Sequence, residues 1–159
     1  MRIWRLCKKR WAETAFSGRG AAENPGRWNS LGHRAVYCAE TRALAALEIL
    51  AHVGNKRRLR KVAFAAIPVE VPDHLIARPA RYPDDWNAKP ARRNTRAFGD
   101  RMLESPEFPA LRVPSSVVPG EFCFVLNPAH PRFAELQVGK AEAFNFDDRV
   151  VNSGAAGRY

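Results

Sequence analysis

Two stretches of the sequence carry side chains whose types and spacing could do chemistry. The first is GRWNSLGHRAVYCAE, residues 26–40. Arg27 offers a planar guanidinium whose fork matches phosphate oxygens two at a time. Trp28 and Tyr37 offer flat faces on which a ring or a planar cation can stack. Glycines at 18, 20, 26 and 32 allow a backbone to approach a ligand closely. Together these make a constellation of the dinucleotide-binding type. It is not the Rossmann fingerprint, because no GxGxxG links a strand to a helix here. The same residues also suit a packing role, with Tyr37 in a core strand and Trp28 covering a sheet.

The second stretch is TRALAALEILAHV, residues 41–53, apolar almost all round except for Glu48. At about 100° per residue Glu48 projects near Leu44 and Ala51, inside the apolar arc. Burying an unpaired carboxylate costs several kcal/mol. Glu48 therefore either pairs with a basic side chain or faces a cleft. His52, one turn on, suits packing or capping. Further along, Ser115 and Ser116 follow the strand-ending Pro114, where hydroxyls close turns or face a site. No GxSxG elbow supports a serine triad, and no HExxH or acidic cluster suggests a metal.

The elements that must position these groups read as a mixed α+β domain. Strands are expected at 2–6, 35–39, 61–71 (bent at Pro68), 110–114, 121–128 and 142–147. Residues 17–27 read as a loop, and 72–94, rich in proline and charge, as a long surface excursion. Thr41 is an apt N-cap for a helix reaching His52, with Gly54-Asn55 ending it in a left-handed conformation. A second helix is expected near 95–105. The fold class is α+β: one compact domain with a mixed, split β-sheet core and a few helices. The domain should span 1–146, and residues 147–159 should form a poorly ordered tail.

Length and composition agree with a single globular domain, since 159 residues with 46% apolar side chains can build one core. No apolar run approaches the roughly 20 residues of a membrane span, and the charged N-terminus does not resemble a signal peptide, so the expected location is cytoplasmic. Three cysteines without CxxC spacing argue against a disulfide framework or a zinc site. The net charge of +10 admits nucleic acid, an acidic protein or an anionic small molecule as partner. The basic clusters at 8–10, 56–61 and 92–96 read as solvated loops and element ends. None forms a tail or an aromatic-interleaved stripe.

Taken in order, GRWN (26–29), VYCAE (36–40), ALAALEILAH (43–52), FGD (98–100), LRVPSSVVP (111–119) and VLNPAHP (125–131) resemble the RES domain, a family named for an arginine, a glutamate and a serine. The resemblance runs over residues 16–132 and departs from the pattern at Arg101, where an aromatic is expected. It implies an ADP-ribosyltransferase-like fold. It also implies a toxin of a toxin–antitoxin pair that depletes NAD and is neutralised by a helical Xre-type antitoxin in a hetero-oligomer. By motif, Arg27, Tyr37, Glu48 and Ser115 become the catalytic set. Arg27, Trp28, Tyr37, Ser115 and Ser116 become the substrate-binding set. NAD is then the substrate, with no metal and no prosthetic group, and nucleic acid is met only through the antitoxin. Alternatives with other acceptors or partners are an ADP-ribosyltransferase acting on a protein, an RNA-acting toxin and a non-catalytic binding module.

Overall fold

Strand β1 (Arg2–Lys8) is the hinge of the architecture, and its two edges are paired very differently. The computed structural model describes residues 1–151, and NSGAAGRY, 152–159, lies outside the described residues. On one side β1 runs antiparallel to β3 (Phe64–Glu70) over its whole length, from Arg2↔Glu70 to Lys8↔Phe64. On the other it meets β2 (Val36–Ala39) through a single bridge, Trp4↔Ala39. Beyond β2 the ladder is regular again. β2 pairs with β6 (Phe122–Leu126), β6 with β5 (Ala110–Pro114), and β5, in parallel, with β4 (Ile76–Ala77). Short β7 (Gln137–Val138) and β8 (Glu142–Phe144) extend β3 at its far edge. The order is β4-β5-β6-β2-β1-β3-β7, a mixed sheet that splays at its centre.

Alternation along the strands builds a core on each face. In β6, Cys123 and Val125 join Leu6, Leu44, Leu111 and Val113 on one side, while Phe124 and Leu126 join Ile3, Val36 and Val69 on the other. The first side is roofed by α2 (Arg42–His52), which packs against β1 and β2. Thr41 caps it as expected, its hydroxyl accepting from the Leu44 amide at 3.0 Å. Although α2 is apolar nearly all round, only one side is covered. Leu44, Ala45 and Leu50 are buried, whereas Leu47 is 43% exposed. A sheet covers a helix from one side only, so composition alone overstates burial here.

Four further expectations are corrected. Residues 17–27 contain a helix, α1 (Arg19–Glu23), entered through Gly18 in a left-handed conformation at φ 70°. Helix α2 ends at Val53 with extended backbone, and Asn55 instead caps the following 3-10 turn over Lys56–Lys61 by accepting from the Arg57 amide. The excursion at 72–94 returns to the body, because Tyr82 and Trp86 pack on Trp28 before α3 (Arg93–Leu103) begins. The expected tail starts too early, since Asp148–Val151 forms a last helical turn, α4, with Val151 2% exposed in the core. Burial of one valine decides this, and a run of polar residues before it hides the anchor in the sequence.

Val151→Ala removes two buried methyl groups, and at about 0.8 kcal/mol each it should cost about 1.6 kcal/mol in urea unfolding. A midpoint unchanged from wild type would show that α4 adds nothing to the core.

Candidate active site

The splay between β1 and β2 is lined rather than filled. A cleft of about 330 Å³ opens there, with Trp4 and Leu6 from β1, Tyr37 and Ala39 from β2 and Glu48 from α2 among its walls. That is the small end of the range for ligand pockets, about 300–1,000 Å³. Arg5 and Cys38 also line it. Two-residue alternation assigns their side chains to the opposite face, where Cys38 is buried with Val36 and Phe124, so these two border the cleft at the junction of the strands. Arg5 spans that junction by donating from Nη1 to the Tyr37 carbonyl at 3.0 Å.

Glu48 sits half-buried on the covered side of α2. Its Oε1 accepts from the Ser115 hydroxyl at 2.7 Å and from the Cys123 thiol at 3.5 Å. Burial, followed by the Glu48 charge and the hydrogen bond to it, pushes the Cys123 thiol far up, which keeps it a donor. Among the described residues Oε2 has no hydrogen-bond partner. No basic side chain forms an ion pair with Glu48 there either, so the cleft-facing reading is the one that holds.

Ser115 is 4% exposed and fully engaged. Its oxygen donates to Glu48 and accepts from the amides of Val117 and Val118 at 3.1 and 3.0 Å. The turn thus uses the hydroxyl both as a closure and as a support for the carboxylate. Ser116, not Ser115, lines the cleft. His52 lines it too, its Nδ1 2.7 Å from the Glu48 carbonyl.

Arg27 is held from behind. Its Nη1 donates to the carbonyls of Trp86 and Ala88 at 2.6 and 2.8 Å, and among the described residues its Nε and Nη2 edge is unengaged. Burial lowers its pKa from the ordinary value, opposed chiefly by the Glu48 charge. It nevertheless stays cationic at any physiological pH. Tyr37 is equally fixed. Its hydroxyl donates to Asn29 Oδ1 at 2.7 Å and accepts from the Trp28 amide at 3.0 Å, leaving the ring toward the cleft. Burial drives its phenol well above the usual range, outweighing the Trp28 amide that acts in the opposite sense. Gly26 packs against that hydroxyl, where any Cβ would collide with it. Trp28, 2% exposed, serves both roles the sequence left open. It walls the cleft, stacks with Trp86 at 6.2 Å and meets Tyr82 and Phe98 edge-on.

The structure therefore brings Arg27, Trp28, Tyr37, Glu48 and Ser116 to one cleft and places Ser115 directly behind it. It adds groups that the sequence did not single out. Asn29 is fully buried and ties Gly26, Tyr37 and the carbonyls of Ala21 and His33 together. Its presence in GRWN was the available signal. Arg96, whose Nε donates to the Gly26 carbonyl at 3.1 Å, holds the same turn from α3. Arg5 and the carbonyls of Trp86 and Ala88 had no local signal at all. Among the described residues no three His, Cys, Asp or Glu side chains are grouped to hold a metal ion. Nor is any helix there long and apolar enough to cross a membrane.

Comparison with known proteins points one way. The RES domain family model matches residues 2–147. "Toxin Res" of Yersinia enterocolitica is 34% identical over 151 residues, covering 94% of this chain and 99% of that protein. "Prs ADP-ribosylating toxin" of a Sphingobium species is 34% identical over 156 residues, covering 94% and 96%. "Toxin Res" of Photorhabdus laumondii is 35% identical over 156 residues, covering 96% and 99%. In fold, the chain is similar to a chain of the crystal structure of the M. tuberculosis MbcT–MbcA toxin–antitoxin complex. The TM-score is 0.68 at 17% identity, over 91% of this chain and 84% of that one.

Two measurements test the packing of the site. Tyr37→Phe leaves the Trp28 amide unpaired in the interior and should cost about 1–3 kcal/mol of stability. Unchanged urea unfolding would show that the hydroxyl holds nothing. The three cysteines are buried, and burial pushes Cys7 up and Cys38 to about 12. Native protein at pH 8 should resist thiol reagents, and unfolded protein should react at all three. Because the folded thiols titrate above their unfolded value, stability should be intact below pH 9 and fall as pH rises from 9 toward 12. Rapid native labelling would refute the burial.

Proposed function

From the premise that this chain belongs to the RES domain family, we propose that it is the toxin of a toxin–antitoxin pair and consumes NAD by breaking the nicotinamide–ribose bond. The observation that carries this reading is the Glu48 carboxylate. One of its oxygens is fixed by Ser115, and the other is left for the cleft that Arg27 and Tyr37 also line. The names of the relatives, "Toxin Res" and "Prs ADP-ribosylating toxin", support the toxin and the class of chemistry.

The chemistry fits the groups present. When the bond from ribose C1′ to the pyridinium nitrogen breaks, its electron pair leaves with nicotinamide, which becomes a neutral ring. The ribose is left with oxocarbenium character. A fixed carboxylate beside that carbon stabilises the developing positive charge. Glu48, prevented from turning by Ser115, fills that role. The unengaged edge of Arg27 clamps the pyrophosphate, and the ring of Tyr37 holds nicotinamide for departure. Nicotinamide needs no strong acid to leave, in keeping with a Tyr37 phenol held far above neutrality. The acceptor, be it water, phosphate or a protein side chain, adds its oxygen to C1′ and releases its proton. Ser116 is the hydroxyl placed to contact the ligand. Transfer of the ADP-ribosyl group to a protein is the second reading, favoured by the name of the Sphingobium relative. It differs only in the acceptor.

In this reading the partner is an antitoxin of the helical Xre type that blocks the cleft. The fold shared with one chain of a toxin–antitoxin complex supports a partner of this kind.

Purified protein should consume NAD and release nicotinamide. Glu48→Gln and Arg27→Ala should each lose about 100-fold or more in turnover while remaining folded, the scale of removing one preorganised electrostatic group. Ser115→Ala should lose about tenfold, the equivalent of one hydrogen bond to a charged group. Full turnover in Glu48→Gln would sink the assignment. Label from NAD recovered on protein, rather than as free ADP-ribose, would select the transfer reading.

A further inference from the structure

Away from the cleft, the topology assembles a surface that neither stretch of sequence displays alone. KKRW at 8–11 and KRRLRK at 56–61 are separated by more than 40 residues. In β1–β3, Lys8 is the partner of Phe64. The chain leaving β1 and the chain entering β3 must therefore lie at the same end of an antiparallel pair. The Lys9 amide closes the junction by donating to the Ala63 carbonyl at 2.8 Å. The two clusters meet at an open hollow of about 670 Å³, walled by Lys8, Lys9, Arg10 and Lys61 with Val62 and Ala63, while Lys56, Arg57, Arg58 and Arg60 are exposed on the 3-10 turn that leads to it.

The charge on this face is unbalanced. It gathers eight of the chain's 26 lysines and arginines, with Glu13 in the hollow and Asp148 held by Arg60 at 2.9 Å as the acids that answer them. That is a local balance of +6 out of the +10 of the whole chain. Two of the cations are held over one aromatic ring. Lys8 Nζ and Arg10 Cζ lie 4.9 and 4.6 Å from the ring centre of Trp11, which is 50% exposed. Within the two segments Trp11 is the exposed large apolar side chain, while Leu59 is buried at 5%. A tight protein interface centres on a cluster of apolar anchors and keeps charge to its rim. This face has the reverse emphasis: dense cations and one aromatic, with only the small apolar side chains of Val62 and Ala63 in the hollow. That composition suits a regular polyanion met through counterion release, with an aromatic ring in reach of a base or sugar.

We infer that this face docks the phosphate backbone of nucleic acid directly and without sequence preference, separately from the catalytic cleft. This departs from the expectation that nucleic acid is met only through an antitoxin.

The test is fluorescence anisotropy of labelled random-sequence duplex DNA and single-stranded RNA, each about 20 nucleotides long, titrated with the whole chain at rising KCl. Binding should weaken linearly with the logarithm of salt, with a slope of about −0.9 for each phosphate neutralised on a duplex. Lys56→Ala/Arg57→Ala/Arg58→Ala should reduce the magnitude of that slope by roughly 3. Lys9→Ala/Arg10→Ala, on the other segment, should reduce it by roughly 2. All five positions lie outside the cleft, so both variants should keep wild-type thermal unfolding and, at physiological salt, wild-type NAD turnover. Which of the two nucleic acids binds more tightly identifies the natural source of the backbone. No binding at low salt, or slopes unchanged in both folded variants, would overturn the inference. So would polyglutamate of equal length displacing the nucleic acid, since the face would then be built for an acidic polypeptide.

Discussion

A single bridge, Trp4↔Ala39, joins the two halves of the sheet, and the site exists because that junction is incomplete. A full ladder between β1 and β2 would bring the strands to within about 4.8 Å along their length and leave no room for a ligand. Splaying them exposes backbone groups whose burial without partners is costly. The molecule meets part of that cost with a side chain, since Arg5 donates across the gap to the Tyr37 carbonyl. The rest of the sheet is regular, with full registers for β1–β3, β2–β6 and β5–β6. Rigidity on both sides is what allows the centre to stay open. Helix α2 then roofs the splay, and its one inward carboxylate is delivered into it.

Among the described residues, each of the three groups proposed for the site has one side engaged and one side without a partner. Glu48 is fixed at Oε1, Arg27 at Nη1 and Tyr37 at its hydroxyl. An electrostatic site works by having its dipoles and charges in place before charge develops, so that none of its stabilisation goes into turning them. The hydrogen bonds seen here do that orientation in advance. They also explain why Ser115 sits behind the cleft wall. A serine that contacted the ligand would have to leave its carboxylate unsupported. With its donor on Glu48 and its oxygen shared by two amides, it is a positioning group, and the free neighbour Ser116 takes the place at the surface.

How much of this was legible in the sequence follows from the range of each interaction. Thr41 as a cap and Glu48 as an inward carboxylate depend on neighbours within one or two helical turns, so periodicity and side-chain chemistry suffice. The motif order carried Arg27, Tyr37 and the Ser115-Ser116 pair to one place, although not the division of labour between the serines. That division depends on which hydroxyl meets the amides of Val117 and Val118, a matter of turn geometry. The segment 72–94 was misjudged because proline and charge signal exposure. What binds it to the body is a pair of aromatic side chains and two carbonyls that accept from Arg27, more than 50 residues away. Arg5 was illegible for a different reason. Its position on a strand directs its side chain to the opposite face, and its hydrogen bond to the Tyr37 carbonyl depends on the incomplete ladder.

The same strand that opens the cleft gathers the basic face, and the two are close enough for their fields to be compared. Leu6 lines the cleft and Lys9 the hollow, three residues apart on one extended chain, hence about 10 Å. The Debye length is about 8 Å at physiological ionic strength and about 30 Å at 0.01 M. In dilute salt the basic face therefore contributes to the potential at the cleft mouth and favours the approach of an anion. At physiological salt that contribution is cut by more than half, whereas the Arg27 charge lines the cleft itself and is screened less. At that ionic strength the potential inside the cleft is set by its own groups rather than by the cations beyond Lys8. The two proposed anion sites of this small domain then differ in kind, one selecting by shape and a fixed guanidinium, the other by charge density alone.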